Sequence, residues 1–141
     1  MRSLSHTLVL HSPGRGLLPI TTRVTDWLAT LAGSGAEGLL TLFCRHTSAS
    51  LLIQENADPE VCADLDRFLS RLVPDGDPLF RHTAEGPDDM SAHVRAALTQ
   101  THLSIPVLAG RLQLGTWQGI YLFEHRARPQ RREVALNYLG S

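Results

Sequence analysis

The stretch that decides the fold runs from Leu39 to Glu55 and reads LLTLFCRHTSASLLIQE. It contains two largely apolar runs, Leu39 to Arg45 and Ser50 to Glu55, separated by the segment His46-Thr47-Ser48-Ala49. Short apolar runs of this length are typical of buried β-strands. We therefore expect two strands joined by a turn that carries one imidazole and two hydroxyls, and strand ends of this kind are common places for a functional site.

The segments before this stretch carry turn and cap signals. Pro13-Gly14-Arg15-Gly16 separates the extended patterns Ser5 to Ser12 and Leu17 to Thr22, which predicts a β-hairpin. A helix is then expected to begin at Thr25 or Asp26, because both residue types are good N-caps.

After the central stretch, Asp58-Pro59 supplies an N-cap followed by proline at the first helical position, which predicts a second helix. Asp88 or Asp89 is expected to cap a third helix with an apolar stripe of Met90, Val94, Ala97 and Leu98. Strand-like runs follow at residues 103–107, 111–114, 119–126 and 133–139. Strands that outnumber helices without regular alternation favour an α+β fold.

Length and charge exclude several classes of protein. The 141 residues suit a single domain, and a net charge of −1 argues against a general nucleic-acid binder. No run is long and apolar enough to cross a membrane, so we expect a cytoplasmic protein with no membrane partner. All 13 basic residues are arginine, which excludes a catalytic or phosphate-binding lysine.

Four of the seven histidines, at positions 46, 82, 93 and 125, lie where a predicted strand or loop ends among acids and hydroxyls. His93 follows Asp89 by four residues on a predicted helix, so the carboxylate can orient the imidazole, and this pairing also suits metal ligation. His82 precedes the acidic pair Asp88-Asp89, which would favour a divalent cation. Two alternatives remain open. Asp89 and His93 would form a solvated pair on a helix surface, and His46 would be a turn histidine that bonds its own loop.

The run Gly119 to Arg126 carries a second set of candidates. Strand alternation places Glu124 on an apolar face, where a carboxylate needs either a distant base or a functional role, and places His125 on the other face. The chain contains no G-x-S-x-G, no H-E-x-x-H and no catalytic cysteine signature. Serine hydrolase, zincin and thiol protease classes therefore lack support.

Several of these motifs, taken in order and spacing, resemble the YjbQ family, which is also described as the secondary thiamine-phosphate synthase family. The motifs are His46-Thr47-Ser48-Ala49, Glu55-Asn56-Ala57-Asp58-Pro59, His82, Gly86-Pro87-Asp88-Asp89-Met90, Ala92-His93, Gly110-Arg111-Leu112, Leu114 to Gly119 and Glu124-His125-Arg126. The resemblance implies an α+β fold with a mixed, sandwich-like sheet, about three helices and assembly as a homotrimer. Ser50 departs from the glycine expected there, which predicts a narrower pocket beside His46.

The resemblance also implies a transferase that joins an aminopyrimidine methyl diphosphate to a thiazole phosphate and releases pyrophosphate. Such a reaction calls for a divalent cation and a placed acid or base. The expected roles are catalysis by His46, Asp89 and Glu124, metal contact by His82, His93 and His125, and substrate binding by Thr47, Ser48, Asn56, Trp117 and Arg126.

The ligand is expected to be a small phosphorylated metabolite. Mg²⁺ would accompany the diphosphate, Zn²⁺ or a similar ion would suit the histidines, and no organic cofactor is expected. Two alternatives remain open. One is a metal-assisted phosphate-ester hydrolase, and the other is a module that binds a phosphorylated metabolite or metal without turnover.

Overall fold

The computed structural model describes residues 1–31 and 33–141. The described chain forms eight strands and three helices. In chain order these are β1 (Arg2–Ser12), β2 (Gly16–Pro19), α1 (Thr21–Ala29), β3 (Gly38–Cys44), β4 (Ala49–Glu55), α2 (Pro59–Leu72), α3 (Asp89–Leu98), β5 (His102–Leu108), β6 (Arg111–Leu112), β7 (Gln118–Glu124) and β8 (Gln130–Gly140).

The strands build two sheets around a shared apolar core. One sheet has the order β1-β8-β3-β5-β6 and the other the order β2-β7-β4. Leu42 and Leu136 from the first sheet and Leu51 and Leu122 from the second are buried in the same core cluster. The α+β class with three helices is confirmed. The sheet was expected to be mixed, whereas each strand pairing among the described residues is antiparallel.

The two strands predicted around His46 form as β3 and β4, and they belong to different sheets. The turn between them therefore carries the chain from one sheet to the other. The predicted N-terminal hairpin is wrong, because β1 pairs with β8 and β2 pairs with β7. A turn signal predicts that the chain changes direction, but it does not determine which strand each flanking strand pairs with. The 11-residue ladder between β1 and β8 provides the more extensive pairing.

The first two helices differ in how well local signals placed them. Helix α1 begins at Thr21, four residues before the predicted Thr25, and Thr21 Oγ1 accepts a hydrogen bond from the Ile120 N–H at 2.8 Å. Helix α2 begins where expected, and the Asp58 side chain accepts from the Glu60 N–H at 2.9 Å. No helix of residues 1–31 and 33–141 has the length and hydropathy needed to span a bilayer.

Helix α3 buries a polar face in place of the predicted apolar stripe. Its buried residues are Asp89, Ser91, Ala92 and Arg95, whereas Leu98 is 59% exposed. Arg95 is held inside by hydrogen bonds from its Nη2 to the carbonyl of Val73 and to Asp75. This rotation of the helix directs Asp89 toward the loop that carries His82.

Candidate functional site

The first turns of α3 and the loop before it bring His82, Asp89 and His93 together. Asp89 Oδ2 lies 2.7 Å from His82 Nε2 and 3.1 Å from His93 Nε2. These three atoms all lie within 4.8 Å of one another, which is the spacing of ligands around one metal ion. Asp89 is buried, whereas His82 and His93 remain partly open to solvent. Three of the residues singled out in the sequence therefore form one cluster.

A main-chain contact fixes which nitrogen of His93 faces Asp89. His93 Nδ1 lies 2.8 Å from the carbonyl oxygen of Thr47, and a carbonyl only accepts, so Nδ1 carries the hydrogen. In the neutral ring, Nε2 then carries a lone pair that points toward Asp89 Oδ2. Such a pair is repulsive unless a proton or a cation lies between the two atoms. The donor set of two imidazoles and one carboxylate therefore fits a divalent ion.

Arg126, which is itself bound by Asp88, holds Asp89 in place from its other side. Arg126 Nη1 donates to Asp89 Oδ1 at 2.7 Å, Nε donates to Asp88 Oδ2 at 3.0 Å, and Nη2 donates to the carbonyl of Glu85. Burial alone would raise the pKa of Asp89, but His82, His93 and Arg126 together lower it. Asp89 is thus an anion whose Oδ2 faces the two imidazoles. Arg126, expected to bind substrate, is committed to these carboxylates.

A cleft of about 520 Å³ opens beside the cluster, between α3 and the turn after β3. Its polar lining residues are Arg45, His46, Thr47, His93 and Thr101, and the remaining lining residues are Phe43, Cys44, Ala49, Ala96 and Ala97. His46 Nε2 accepts a hydrogen bond from the main-chain N–H of Glu133 at 2.7 Å. The cleft is continuous with the cluster through His93, which belongs to both.

Glu124, expected as an acid or base, lies in a closed ion pair. Its side chain is fully buried, and its carboxylate accepts from Arg132 Nε at 2.8 Å and from Ser12 Oγ at 2.6 Å. Burial raises the pKa of Glu124, but the hydrogen bonds from Arg132, Ser12 and the main chain outweigh it and the pKa is lowered. This saturated anion fits a structural role, so the geometry argues against proton transfer here.

His125, expected as a metal ligand, lies in the core, outside the ligand group of His82, Asp89 and His93. Its Nε2 is 2.9 Å from Ser50 Oγ, and its ring packs against Phe123. Burial, with the charge of Arg95, lowers the pKa of His125 to about 3, so the ring is neutral. Ser50 is likewise buried and does not line the cleft beside His46, which corrects the expectation of a narrower pocket.

The remaining predicted residues separate into three places. The Thr47 carbonyl orients His93, while Ser48 is buried and accepts from Arg132. Asn56 lines a second cavity of about 380 Å³ between β2 and α2. Trp117 is 63% exposed, and its carbonyl accepts a hydrogen bond from the Asn56 N–H at 2.9 Å. The structure therefore does not bring Asn56 and Trp117 to the cleft that contains His46.

Two main-chain groups and one arginine were missed by the sequence reasoning. The Thr47 carbonyl and the Glu133 N–H orient the two imidazoles of the cleft, and Arg132 neutralises Glu124. Main-chain groups carry no residue-type signal. Arg132 lies next to Arg131, and adjacent basic residues of this kind are typical of a solvated turn, so its burial was not expected.

Fold and cluster together define a protein of two antiparallel sheets with a histidine–carboxylate cluster at the start of its third helix. The family model described as UPF0047 protein YjbQ-like matches residues 6–141, and the chain belongs to this family. The UPF0047 protein sll1880 of Synechocystis is 49% identical over 99% of this chain and 93% of its own length. The UPF0047 protein YjbQ of Salmonella typhimurium is 43% identical over 95% and 96%, respectively.

Solved structures agree with this assignment. The conserved hypothetical protein TT1486 of Thermus thermophilus superimposes with a TM-score of 0.83 at 39% identity, covering 95% of this chain and 99% of its own. The hypothetical protein APE1520 of Aeropyrum pernix has the same TM-score at 33% identity and covers both chains fully. The YjbQ resemblance drawn from the sequence motifs is confirmed.

Proposed function

We propose that this protein is a divalent-metal-dependent enzyme that acts on a small phosphorylated metabolite at the His82–Asp89–His93 cluster. The supporting observation is the orientation of His93, whose Nε2 faces Asp89 Oδ2 at 3.1 Å while its Nδ1 hydrogen is committed to the Thr47 carbonyl. A main-chain carbonyl thus sets the ring in the form that ligates metal.

The residues of the cluster have separable roles in this proposal. His82 and His93 would hold the ion through Nε2 and Asp89 through Oδ2, while Arg126 keeps Oδ1 occupied so that the carboxylate offers one oxygen. Nitrogen ligands favour Zn²⁺ or a similar ion, whereas Mg²⁺ would arrive with a diphosphate. The ion supplies positive charge that stabilises negative charge developing on a phosphate leaving group.

The specific reaction that we propose is of the thiamine-phosphate synthase type. The diphosphate of an aminopyrimidine methyl diphosphate leaves as the thiazole phosphate nitrogen bonds to the methylene carbon. The partly open imidazoles give the diphosphate access to the cluster, and the adjoining cleft has apolar walls formed by Phe43, Ala96 and Ala97. Those walls suit a flat ring, which would exclude water from the reacting carbon.

The test couples metal content to turnover. Purified protein is assayed for bound metal by mass spectrometry and for thiamine phosphate by chromatography, with His93→Ala compared with His11→Ala. His11 is an exposed histidine of β1 outside the cluster, which makes it the matched control. We expect His93→Ala alone to lose both metal and product. Equal metal and equal turnover in both variants would refute the proposed site.

A phosphate-ester hydrolase is the second candidate, because His82 is 45% exposed and water can reach the cluster. Release of inorganic phosphate from simple esters, with no thiamine phosphate formed, would select it. Stabilisation of the protein by a phosphorylated ligand without any turnover would instead select a binding module.

We further propose a cytoplasmic homotrimer of single-domain subunits that does not bind nucleic acid. Large apolar side chains at the surface support assembly, among them Phe43, Phe68, Leu72 and Leu98, each about half exposed. The net charge of −1 is the reason for excluding nucleic acid. Light scattering after size-exclusion chromatography should give three times the subunit mass, and a monomer mass would refute the trimer.

A further inference from the structure

The main chain contacts the two imidazoles of the cleft through different nitrogens, with a carbonyl at His93 Nδ1 and an N–H at His46 Nε2. The Thr47 carbonyl accepts from His93 Nδ1, so this nitrogen carries a hydrogen, as described above. At His46 the partner is an N–H, that of Glu133, which can only donate. His46 Nε2 is therefore the unprotonated nitrogen, and the neutral ring carries its hydrogen on Nδ1.

The turn around His46 is fixed to β8 by more than this one contact. The Arg45 N–H donates to the Glu133 carbonyl at 3.2 Å, and Arg45 Nη1 contacts the Glu133 carboxylate at 2.7 Å. The ring is thus anchored through its Nε2 side. Among the described residues the structure gives His46 Nδ1 no hydrogen-bond partner, and His46 lines the cleft.

The surroundings of His46 favour the neutral ring. Burial lowers its pKa, and the charges of Arg132 and Arg45 act in the same direction, against the opposing effect of Glu133 and Glu124. Protonation would also place a second hydrogen on Nε2, opposite the Glu133 N–H. The Glu133 contact would then be lost, so the ring is a poor proton acceptor in the folded protein.

We infer that His46 is a fixed Nδ1–H donor that binds an acceptor atom of the substrate, where the sequence had indicated an acid or base. The acceptor belongs to the part of the substrate that lies against Phe43, Ala96 and Ala97, while the phosphate end reaches the His93 side of the cleft. The substrate contact rests on the proposed function, whereas the state of the ring stands on the structure alone. His46 therefore contributes to orientation and specificity.

The state of the ring is measured without any substrate. Nitrogen NMR of ¹⁵N-histidine-labelled protein at neutral pH, with His46→Asn used to assign the signal, distinguishes protonated from unprotonated ring nitrogens. We expect a protonated Nδ1 and an unprotonated Nε2. The reverse tautomer, or a ring protonated on both nitrogens, would overturn the inference.

Two variants separate binding from proton transfer. Asparagine places an N–H donor at the position of Nδ1, whereas glutamine keeps an acceptor for the Glu133 N–H and loses the donor. We expect His46→Asn to keep KM within about twofold and His46→Gln to raise KM about five- to tenfold, the effect of one neutral hydrogen bond, with kcat within about threefold in both. A loss of about 100-fold in kcat in both variants, with loss of one limb of the pH profile, would show acid–base catalysis and overturn the inference.

The two proposals fail in distinguishable ways. If the wild-type protein forms no thiamine phosphate, the proposed reaction fails, and the Nδ1–H signal is then followed as aminopyrimidine methyl diphosphate is added. A shifted signal in the wild type, with weaker binding in His46→Gln, supports the donor role. Binding that leaves this signal unchanged overturns it.

Discussion

Replacing Glu124 by glutamine should destabilise the protein severely. The carboxylate is fully buried and accepts five hydrogen bonds, two from Arg132, one from Ser12 and two from the main-chain N–H groups of His125 and Arg126. Glutamine removes the charge and turns one oxygen into a donor that faces other donors. The Arg132 guanidinium would remain buried without its counter-ion.

The expected loss is about 3–5 kcal/mol, the usual cost of breaking a buried pair from one side. For a domain of this length that corresponds to a fall in Tm of roughly 10 °C or more. Urea unfolding followed by circular dichroism measures the loss. Glu133→Gln is the matched control, since that carboxylate pairs with Arg131 and Arg45 at the surface and its loss should shift unfolding far less.

The pH dependence provides an independent check. The pKa of Glu124 is lowered in the folded state from an ordinary value of 4.5, so the folded state binds this proton less tightly than the unfolded state. The stabilisation is therefore complete above pH 4.5 and is lost as the pH falls through the folded value. A Glu124→Gln variant that unfolds within about 1 kcal/mol of wild type, with the same acid sensitivity, would refute the structural assignment.

Three further outcomes are expected from individual contacts in the structure. Arg126→Met should weaken metal binding about 10- to 100-fold, measured by calorimetry, because Asp89 loses the donor that orients it; unchanged affinity would count against a positioning role. Native protein should show rapid reaction of Cys62 with a thiol reagent and slow reaction of Cys44, since burial raises the pKa of the Cys44 thiol; equal rates would contradict this. Gly38→Ala should cost about 1–3 kcal/mol in urea unfolding because a Cβ there would run into the Leu139 carbonyl oxygen; wild-type stability would show that the strands can separate.

Local sequence patterns predicted most of the strands and helices, but they did not predict which strands pair with each other. The strands β3 and β4 and the helix at Pro59 follow from apolar runs and a cap, which are properties of neighbouring residues. The hairpin predicted around Pro13 failed because pairing depends on distant strands. The stripe predicted for α3 failed because side chains such as Arg95 are buried through hydrogen bonds, which counting apolar residues does not reveal.

The candidate site was predictable where its residues are close in sequence. Asp89 and His93 are one helical turn apart, and His82 is seven residues before Asp89. The burial of His125 was not predicted, because strand alternation assumes one solvent-exposed face, whereas β7 is the middle strand of its sheet and is buried from Gly119 to Glu124. Contacts between distant segments, such as Thr47 with His93, lie beyond any local pattern.

The position of β8 has a consequence for how the chain reaches its folded state. Gln130–Gly140 lies between β1 and β3, so the larger sheet needs this late segment before either neighbour can complete its ladder. During synthesis, the main-chain groups of β1 stay unpaired until Gln130–Gly140 has been made. Closing so long a loop is slow, and exposed strand edges associate with other chains. We therefore expect nascent chains that end before Gln130 to be held by chaperones or to aggregate, and release past Gly140 to trigger assembly of the sheet.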